Sequence, residues 1–300
     1  MPLVVGAATL SCRGDVRDHL TWGDRLLGSG RTEAAIAEYQ VALRRRGDDP
    51  TVLSRLAHGY AHLDRLDETS EYYERLLAKD SAYADQAVAD YLAMARRGLE
   101  QRDRARFARA LEQLEAIQPG GVPDDMALPF ARYYYELGEY ASALPLYLTV
   151  LADQSETMTP EVRYELGRVY YGLGECGQAL IHFRSYLRSS GPMGESRSDA
   201  AWHAGQCAFE LAQKDRLAGR PGQAAEKYEL VIRLGTPQTL LDDAWFERGE
   251  ILFGMGQYEN ALISYQKVLD LNPSRAGRNV RTSEERIRAI RYRGARGDER

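Results

Sequence analysis

The sequence predicts an all-α protein in which helix hairpins stack along the chain as a solenoid. Small residues recur every 34–44 residues, each inside a stretch whose apolar residues are spaced at i, i+3 and i+4, as on one face of a helix. Gly138, Gly174 and Gly256 follow such stretches and suit the left-handed conformation that ends a helix. Because one hairpin cannot bury its own apolar face, neighbouring hairpins are expected to pack together.

Seven hairpins are predicted, and the small residue of each first helix marks them in order: Gly23, Ala57, Ala95, Ala131, Gly167, Gly205 and Gly249. In the fifth hairpin we expect Gly167 and Ala179 to lie on facing helices, with Phe183 filling the space beside their contact. The third hairpin is the weakest, because it lacks a turn glycine. The sixth holds about seven extra residues around Gln213–Gly219, roughly two helical turns.

The two ends of the chain differ from the repeats. Residues 1–15 form an apolar N-terminal segment, residues 16–273 hold the hairpins, and residues 274–300 are predicted to be a capping helix with a basic tail. Thr282–Glu285 is typical of a capping box that opens a helix. Ile287 and Ile290 would then face the last hairpin, so this helix is expected to cover its exposed end.

The repeat pattern resembles the tetratricopeptide repeat family, whose unit is a helix–turn–helix of ~34 residues. The segment Ala244–Pro273 carries the resemblance most fully, with these residues at the family's spacing: Trp245, Gly249, Gly256, Tyr258, Ala261, Tyr265 and Pro273. The resemblance covers about residues 16–273. It implies a right-handed superhelical solenoid of about seven hairpins, whose first helices line a concave groove for a peptide or protein segment.

The same resemblance places residues beside each small position in the groove. Arg96, Arg132 and Arg168 each follow a small residue, which predicts a cationic stretch there. Large aromatic residues share this helix face in the last four hairpins, and arginines beside aromatics are typical of a binding hot spot. The candidate partner-binding residues are Arg132, Arg168, Tyr135, Tyr164, Tyr171, Trp202, Phe209, Phe246 and Phe253. The alternative is that these aromatics pack between successive first helices.

No catalytic signature is present: there is no P-loop, no Rossmann glycine fingerprint, no G-x-S-x-G and no H-E-x-x-H. We therefore expect neither an enzyme nor a cofactor or metal centre. His58 and His62 are four residues apart, which is metal-ligand spacing, but the sequence offers no obvious further ligand, so ordinary surface or groove histidines are expected. Cys176 and Cys207 are expected to pack separately as small apolar residues.

These patterns favour a non-enzymatic protein–protein interaction scaffold. The first alternative is a nucleic-acid-associated module that uses the C-terminal tail, in which nine arginines stand against four acidic residues. The net charge of −5 argues against it. The second alternative is an enzyme with an unrecognised site in the groove. No apolar run approaches the ~18–20 residues that a membrane-spanning helix requires.

The N-terminal segment bears on localisation. Leu3–Leu10, Ser11 and Cys12 resemble a bacterial lipoprotein signal, in which the cysteine becomes lipidated, although no basic residue precedes the apolar stretch. The chain has 35 arginines and four lysines, which is typical of a GC-rich bacterial genome. We expect a lipoprotein of the cell envelope that faces the periplasm and meets the membrane only through Cys12. A cytoplasmic protein is the alternative.

Overall fold

The structure is a computed structural model of the 300-residue chain, and it describes residues 16–152, 159–191 and 196–297. The described residues contain α-helices and two short 3-10 turns but no β-strand, which confirms the all-α fold class. None of the described helices is both long and apolar enough to cross a membrane. Two compact units divide the chain, one extending to Met126 and the other beginning at Ala127.

The first unit consists of three helix hairpins. Their six helices are α1 (Val16–Gly28), α2 (Thr32–Arg46), α3 (Pro50–His62), α4 (Leu66–Leu77), α5 (Ala84–Glu100) and α6 (Arg104–Ile117). A 3-10 turn at Ser81–Tyr83 precedes α5. In each hairpin the first helix packs against the second, and α3 also contacts α5, the first helix of the next hairpin. First helices are therefore neighbours within this unit.

The second unit holds four hairpins and a terminal helix. Its helices are α7 (Asp124–Leu137), α8 (Tyr140–Ala152), α9 (Pro160–Gly172), α10 (Cys176–Ser189), α11 (Arg197–Leu217), α12 (Pro221–Leu234), α13 (Leu241–Gly254), α14 (Tyr258–Leu271) and α15 (Arg278–Gly297). Helix α7 begins three residues before the boundary between the units. The extra residues of the sixth hairpin lengthen α11 to 21 residues, as the sequence predicts.

Every hairpin turn contains one residue with a left-handed backbone. These residues are Gly30, Asp64, Arg102, Gly138, Gly174, Gly219 and Gly256. The third hairpin lacks a turn glycine because Arg102 adopts this conformation itself, with φ +59°. For a residue with a Cβ the conformation costs roughly 1–2 kcal/mol. The turn geometry is therefore kept in the third hairpin even though the glycine signal is absent from the sequence.

The small residues of the first helices make room for an aromatic ring of the second helix. A Cβ atom added to Gly167 would lie 2.8 Å from the ring of Phe183, and one added to Gly249 would lie 2.8 Å from the ring of Tyr265. Ala179 and Phe183 are fully buried, as predicted. Gly205 is an exception, because its added Cβ would meet the carbonyl oxygen of Thr236 in the loop after α12.

The terminal helix differs from its prediction in where it begins. Helix α15 starts at Arg278, four residues before Thr282, so the predicted capping box lies inside the helix and the predicted start was wrong. Gly277, with φ +111°, immediately precedes the helix. Val280 and Ile287 are buried against residues of α13 and α14, so α15 covers the apolar face that the last hairpin would otherwise expose.

We expect Gly167→Leu to lower the free energy of unfolding by about 1–3 kcal/mol, because the new side chain must displace the Phe183 ring. Gly177→Leu is the matched control in the same hairpin, since a Cβ at Gly177 meets nothing within 4 Å. Surface changes of this kind usually stay within about 0.5 kcal/mol. Urea unfolding followed by circular dichroism measures both variants, and equal midpoints would contradict the predicted contact.

Candidate functional site

Ion pairs join the first helices of successive hairpins in the second unit. Arg132 of α7 pairs with Glu165 of α9, and Arg168 of α9 pairs with Asp199 of α11. Arg216 of α11 lies 3.3 Å from Glu247 of α13. We call the surface formed by α7, α9, α11 and α13 the first-helix face of the second unit. It carries all nine candidate partner-binding residues.

The pair between α7 and α9 includes a buried tyrosine. The Arg132 Nε donates to Glu165 Oε2 at 3.0 Å, and the hydroxyl of Tyr147, on the second helix α8, donates to the same oxygen at 3.0 Å. Burial and the nearby Glu165 charge raise the pKa of Tyr147 well above its ordinary value, so its hydroxyl stays protonated and remains a donor. We call this arrangement a tyrosine–carboxylate–cation triad.

The contact between α9 and α11 contains the same kind of triad, but its tyrosine comes from a different position. The second-helix position that Tyr147 fills in its own hairpin is Phe183 here, which has no hydroxyl. Tyr164 of α9 replaces it and donates to Asp199 Oδ2 at 2.6 Å, while Arg168 Nη1 lies 3.0 Å from the same oxygen. Burial acts to raise the pKa of Asp199, but Tyr164, His203 and Arg168 outweigh it and hold the pKa below its ordinary value.

The last hairpin forms a triad with the terminal helix. Arg286 of α15 donates to both oxygens of Glu250 at 2.9 and 3.0 Å, and the Tyr265 hydroxyl donates to Glu250 at 2.5 Å. The contact between α11 and α13 is incomplete by comparison. Beside its Arg216–Glu247 pair, the Tyr228 hydroxyl is buried with no hydrogen-bond partner among the residues that the structure describes.

Two triads of the same kind occur within the first unit. Tyr39 donates to Asp24 at 2.8 Å, and Asp24 pairs with Arg55 of the next first helix at 2.8 Å. In the following hairpin Tyr73 donates to Asp90, and His58 Nδ1 lies 2.9 Å from Asp90. A histidine takes the place of the arginine in this one of the five triads described.

The triads change the expected charge of the face. The sequence predicts a cationic stretch, yet Arg132 and Arg168 each face a carboxylate of the neighbouring first helix. Arg96 is exposed and lies in the first unit. The face of the second unit therefore presents paired donors and acceptors rather than an excess of positive charge. The prediction differed because the sequence pattern did not reveal which acid would lie opposite each arginine.

The candidate aromatics are mostly half-buried, and they pack against second helices and the terminal helix as well as against neighbouring first helices. Tyr135 packs against Tyr147, and Tyr171 meets His203 edge-on with the ring centroids 4.5 Å apart. Phe209 lies against Tyr228, and the Arg286 guanidinium covers Phe253 at 4.5 Å. Tyr164 and Phe246 also join buried clusters. Among the seven aromatic candidates only Trp202 is exposed, at 39%.

Cys176 and Cys207 form a disulfide, which corrects the expectation that they pack separately. The bond joins the start of α10 to the middle of α11, with Cα atoms 5.0 Å apart. Both residues are buried, at 6% and 0% exposure. Their sequence separation of 31 hid the pairing in the sequence, because only the packing of the fifth hairpin against the sixth brings them together.

The other residues singled out in the sequence are the two histidines of α3 and Cys12. His58 and His62 lie side by side on α3, with their Nε2 atoms 3.2 Å apart. No group of three histidine, cysteine or acidic side chains that could hold a metal ion occurs in the described part of the chain. Cys12 lies outside the described residues.

Sequence analysis missed the carboxylates of the triads and all of their tyrosines except Tyr164. A signal for the tyrosines exists, because Tyr39, Tyr73, Tyr147 and Tyr265 each follow the small residue of their hairpin by 16 positions. Packing volume alone would explain an aromatic ring at that position, as Phe183 shows. The hydroxyl forms this hydrogen bond only where a carboxylate of a first helix lies within reach. The sequence of a single repeat does not show where that carboxylate is.

The Glu250 triad predicts a dependence of stability on pH. Burial acts to raise the pKa of Glu250, but hydrogen bonds from Arg286 and Tyr265 lower it below its ordinary value of 4.5. A lowered folded-state pKa contributes stability above the unfolded-state value, and this contribution disappears as the pH falls through the folded-state pKa. Glu250→Gln should therefore be less stable at pH 7, by about 1–3 kcal/mol for hydrogen bonds to a charged group.

The difference between wild type and Glu250→Gln should narrow as the pH falls below 4.5, measured by urea unfolding at several pH values. Glu226→Gln is the control, because Glu226 is an exposed acid on the second helix α12. A gap of constant size from pH 7 to pH 3 would show that ionised Glu250 does not stabilise the contact with α15.

The chain is similar to several solved structures and to no curated protein. A tetratricopeptide repeat protein of Thermus thermophilus is 23% identical, with 63% of this chain and 98% of that chain covered and a TM-score of 0.26. Part of a repeat protein from Cytophaga hutchinsonii is 19% identical (88% and 98% covered, TM-score 0.32). A tetratricopeptide repeat protein from Parabacteroides merdae is 14% identical (92% and 98% covered, TM-score 0.32).

Family models give the assignment. One tetratricopeptide repeat model matches residues 20–87 and 128–194, and another matches residues 242–275. These segments make up more than half of the chain, and they fall on the hairpins described above. The chain belongs to the tetratricopeptide repeat family, whose repeats indicate a scaffold for protein–protein interaction.

Proposed function

We propose that this protein is a non-enzymatic scaffold that binds a peptide or protein segment on the first-helix face of its second unit. The observation that carries the proposal is the exposed Trp202 on α11. Asp199 lies three residues earlier, one turn away on the same side of the helix, and is paired with Arg168 of α9. An exposed tryptophan beside an arginine matches the composition of binding hot spots.

The triads favour a particular chemistry for the bound segment. Arg168 and Asp199 place a donor and an acceptor together beside Trp202, with 28% and 43% of their side chains exposed. A peptide main chain presents both a carbonyl acceptor and an N–H donor, so it can engage both groups. A strongly acidic segment would have to compete with Asp199 and Glu165 for the two arginines. We therefore favour an extended segment with an apolar or aromatic side chain for Trp202.

Replacing the tryptophan tests the face directly. We expect Trp202→Ala to weaken binding of a partner recovered by pull-down from native membranes at least tenfold, because hot-spot truncations cost about 2 kcal/mol or more. Trp22→Ala is the matched control, since Trp22 is also exposed, at 50%, but lies on α1 of the first unit. Calorimetry gives both affinities, and an equal loss for the two variants would remove the proposed face.

Arg168 tests the polar part of the same site. Arg168→Gln should weaken binding several-fold, whereas Arg184→Gln should not, because Arg184 is exposed on the second helix α10. Arg55 is unsuitable as a control, because it forms a triad with Asp24 and Tyr39. Unfolding midpoints of the unbound variants separate lost contacts with the partner from lost packing between α9 and α11.

We further propose that the scaffold acts at the cell envelope, attached through a lipidated Cys12. The Cys176–Cys207 disulfide supports this, because disulfides persist in oxidising compartments such as the periplasm and are rare in the cytosol. It is independent of the N-terminal pattern, since the two cysteines lie within the repeats.

The localisation proposal predicts that the full-length protein fractionates with membranes and that Cys12→Ser moves it to the soluble fraction. Mass spectrometry of the membrane-bound form should show a lipid on Cys12 and no free thiol at Cys176 or Cys207. Cys176→Ser with Cys207→Ser is the control and should leave the fractionation unchanged. A wild-type chain that is wholly soluble and carries an unmodified Cys12 would rule the proposal out.

A further inference from the structure

The two histidines of α3 are arranged as a pair of converging ligands. His58 and His62 are four residues apart on one helix, so their side chains lie on the same side, one turn apart. Their Nε2 atoms are 3.2 Å apart, and their rings meet edge-on with centroids 4.6 Å apart. Two ring nitrogens at this separation fit two corners of one coordination polyhedron.

The distance between the two Nε2 atoms can be compared with the distance expected when both bind one metal ion. With metal–nitrogen bonds of about 2.0–2.1 Å, an ion that bonds both Nε2 atoms at this separation makes an N–metal–N angle of about 100–106°. That angle lies between the octahedral and the tetrahedral values. The helix therefore holds the two nitrogens at a suitable spacing, and the rings must rotate to aim both lone pairs at the ion.

The surroundings of His58 fix which nitrogen is available. Its Nδ1 lies 2.9 Å from both oxygens of Asp90, and an ionised carboxylate can only accept, so Nδ1 is the donor. Asp90 is itself held by the buried Tyr73 hydroxyl. A metal-binding histidine typically donates its other N–H to a carboxylate, which orients the ring and makes its free nitrogen more basic. His58 has this support without any metal present.

His62 is the more adaptable ligand. It is exposed, and its contact with His58 is through Nε2. Since His58 Nε2 is the acceptor in neutral His58, His62 Nε2 carries the proton in the pair. Metal binding requires the His62 proton to move to its Nδ1, which exchanges with water and needs no net proton release. A protonated His58 would release one proton.

We propose that His58 and His62 bind a divalent late transition-metal ion, Zn²⁺ or Cu²⁺, through their two Nε2 atoms, with Asp90 as the positioning residue. Imidazole nitrogens suit these metals, and Cu²⁺ binds such ligands more tightly than Zn²⁺. Because no group of three ligating side chains occurs among the described residues, water occupies the other coordination positions. The site belongs to the first unit, whereas the Trp202 surface proposed above belongs to the second.

The experiment uses the full chain with Cys12→Ser, so that the cysteine thiol does not compete for metal. Zn²⁺ is titrated by calorimetry into this protein and into the same protein carrying His62→Gln or His19→Gln. His62→Gln should weaken binding at least tenfold, because it removes one of two ligands. His19→Gln is the matched control and should have no effect, since His19 pairs with Glu38 and is not stacked on a second histidine.

Cu²⁺ gives a spectroscopic measure of the same site. Electron paramagnetic resonance should show coupling to two ring nitrogens in wild type and to one in His62→Gln. Asp90→Asn should weaken binding by about 10–100-fold, as expected for loss of a carboxylate that supports a ligand, and should keep the two-nitrogen signature.

Because His62 is exposed, unfolding of His62→Gln in metal-free buffer checks that its fold is intact. Equal Zn²⁺ affinity in wild type and His62→Gln, or one coupled nitrogen in wild type, would overturn the proposal.

Discussion

The tyrosine–carboxylate–cation triad is the interaction on which the packing of first helices depends. Apolar clusters hold each hairpin together and extend into the next hairpin. A charge pair with a hydrogen-bonded tyrosine has one geometry. Removing one partner of a buried pair leaves an uncompensated charge, which costs several kcal/mol when burial is complete. In the half-exposed triads of this chain the cost is smaller, and their main contribution is to the register between hairpins.

The tyrosine couples the two layers of helices. Tyr147 lies on a second helix, yet its hydroxyl reaches the Glu165 carboxylate between two first helices. The ring fills the space that a small residue leaves, and the hydroxyl satisfies a carboxylate that the ring has partly shielded from water. Phe183 shows that the two roles are separable, since Tyr164 supplies the hydroxyl there. Where the second helix carries a tyrosine, one side chain both fills the apolar space and donates to the carboxylate. Where it carries Phe183, the ring and the hydroxyl come from two side chains.

More of the fold than of the candidate site could be predicted from the sequence. Small residues, helical periodicity and turn glycines are local signals, so the hairpins could be predicted, including the long α11. The left-handed Arg102 and the start of α15 could not, because Arg102 stands where most of the other turns have glycine and α15 begins four residues before its capping-box residues. Within the candidate site, helix phase placed the candidate residues on the first helices, but the partners of Arg132 and Arg168 lie on other helices more than 30 residues away. Pairings between elements have no local signature.

The Cys176–Cys207 bond has a mechanical consequence for a chain built from successive hairpins. In such an array each hairpin touches mainly its neighbours, so a pulling force applied at the two ends can peel hairpins away one at a time. The covalent bond lies across the contact between the fifth and sixth hairpins and carries the load there. The segment between the cysteines stays closed, which withholds about 100 Å of extension from the stretched chain. Under tension the protein would lengthen by opening its other contacts, while α10 and α11 stay attached to each other beside Trp202.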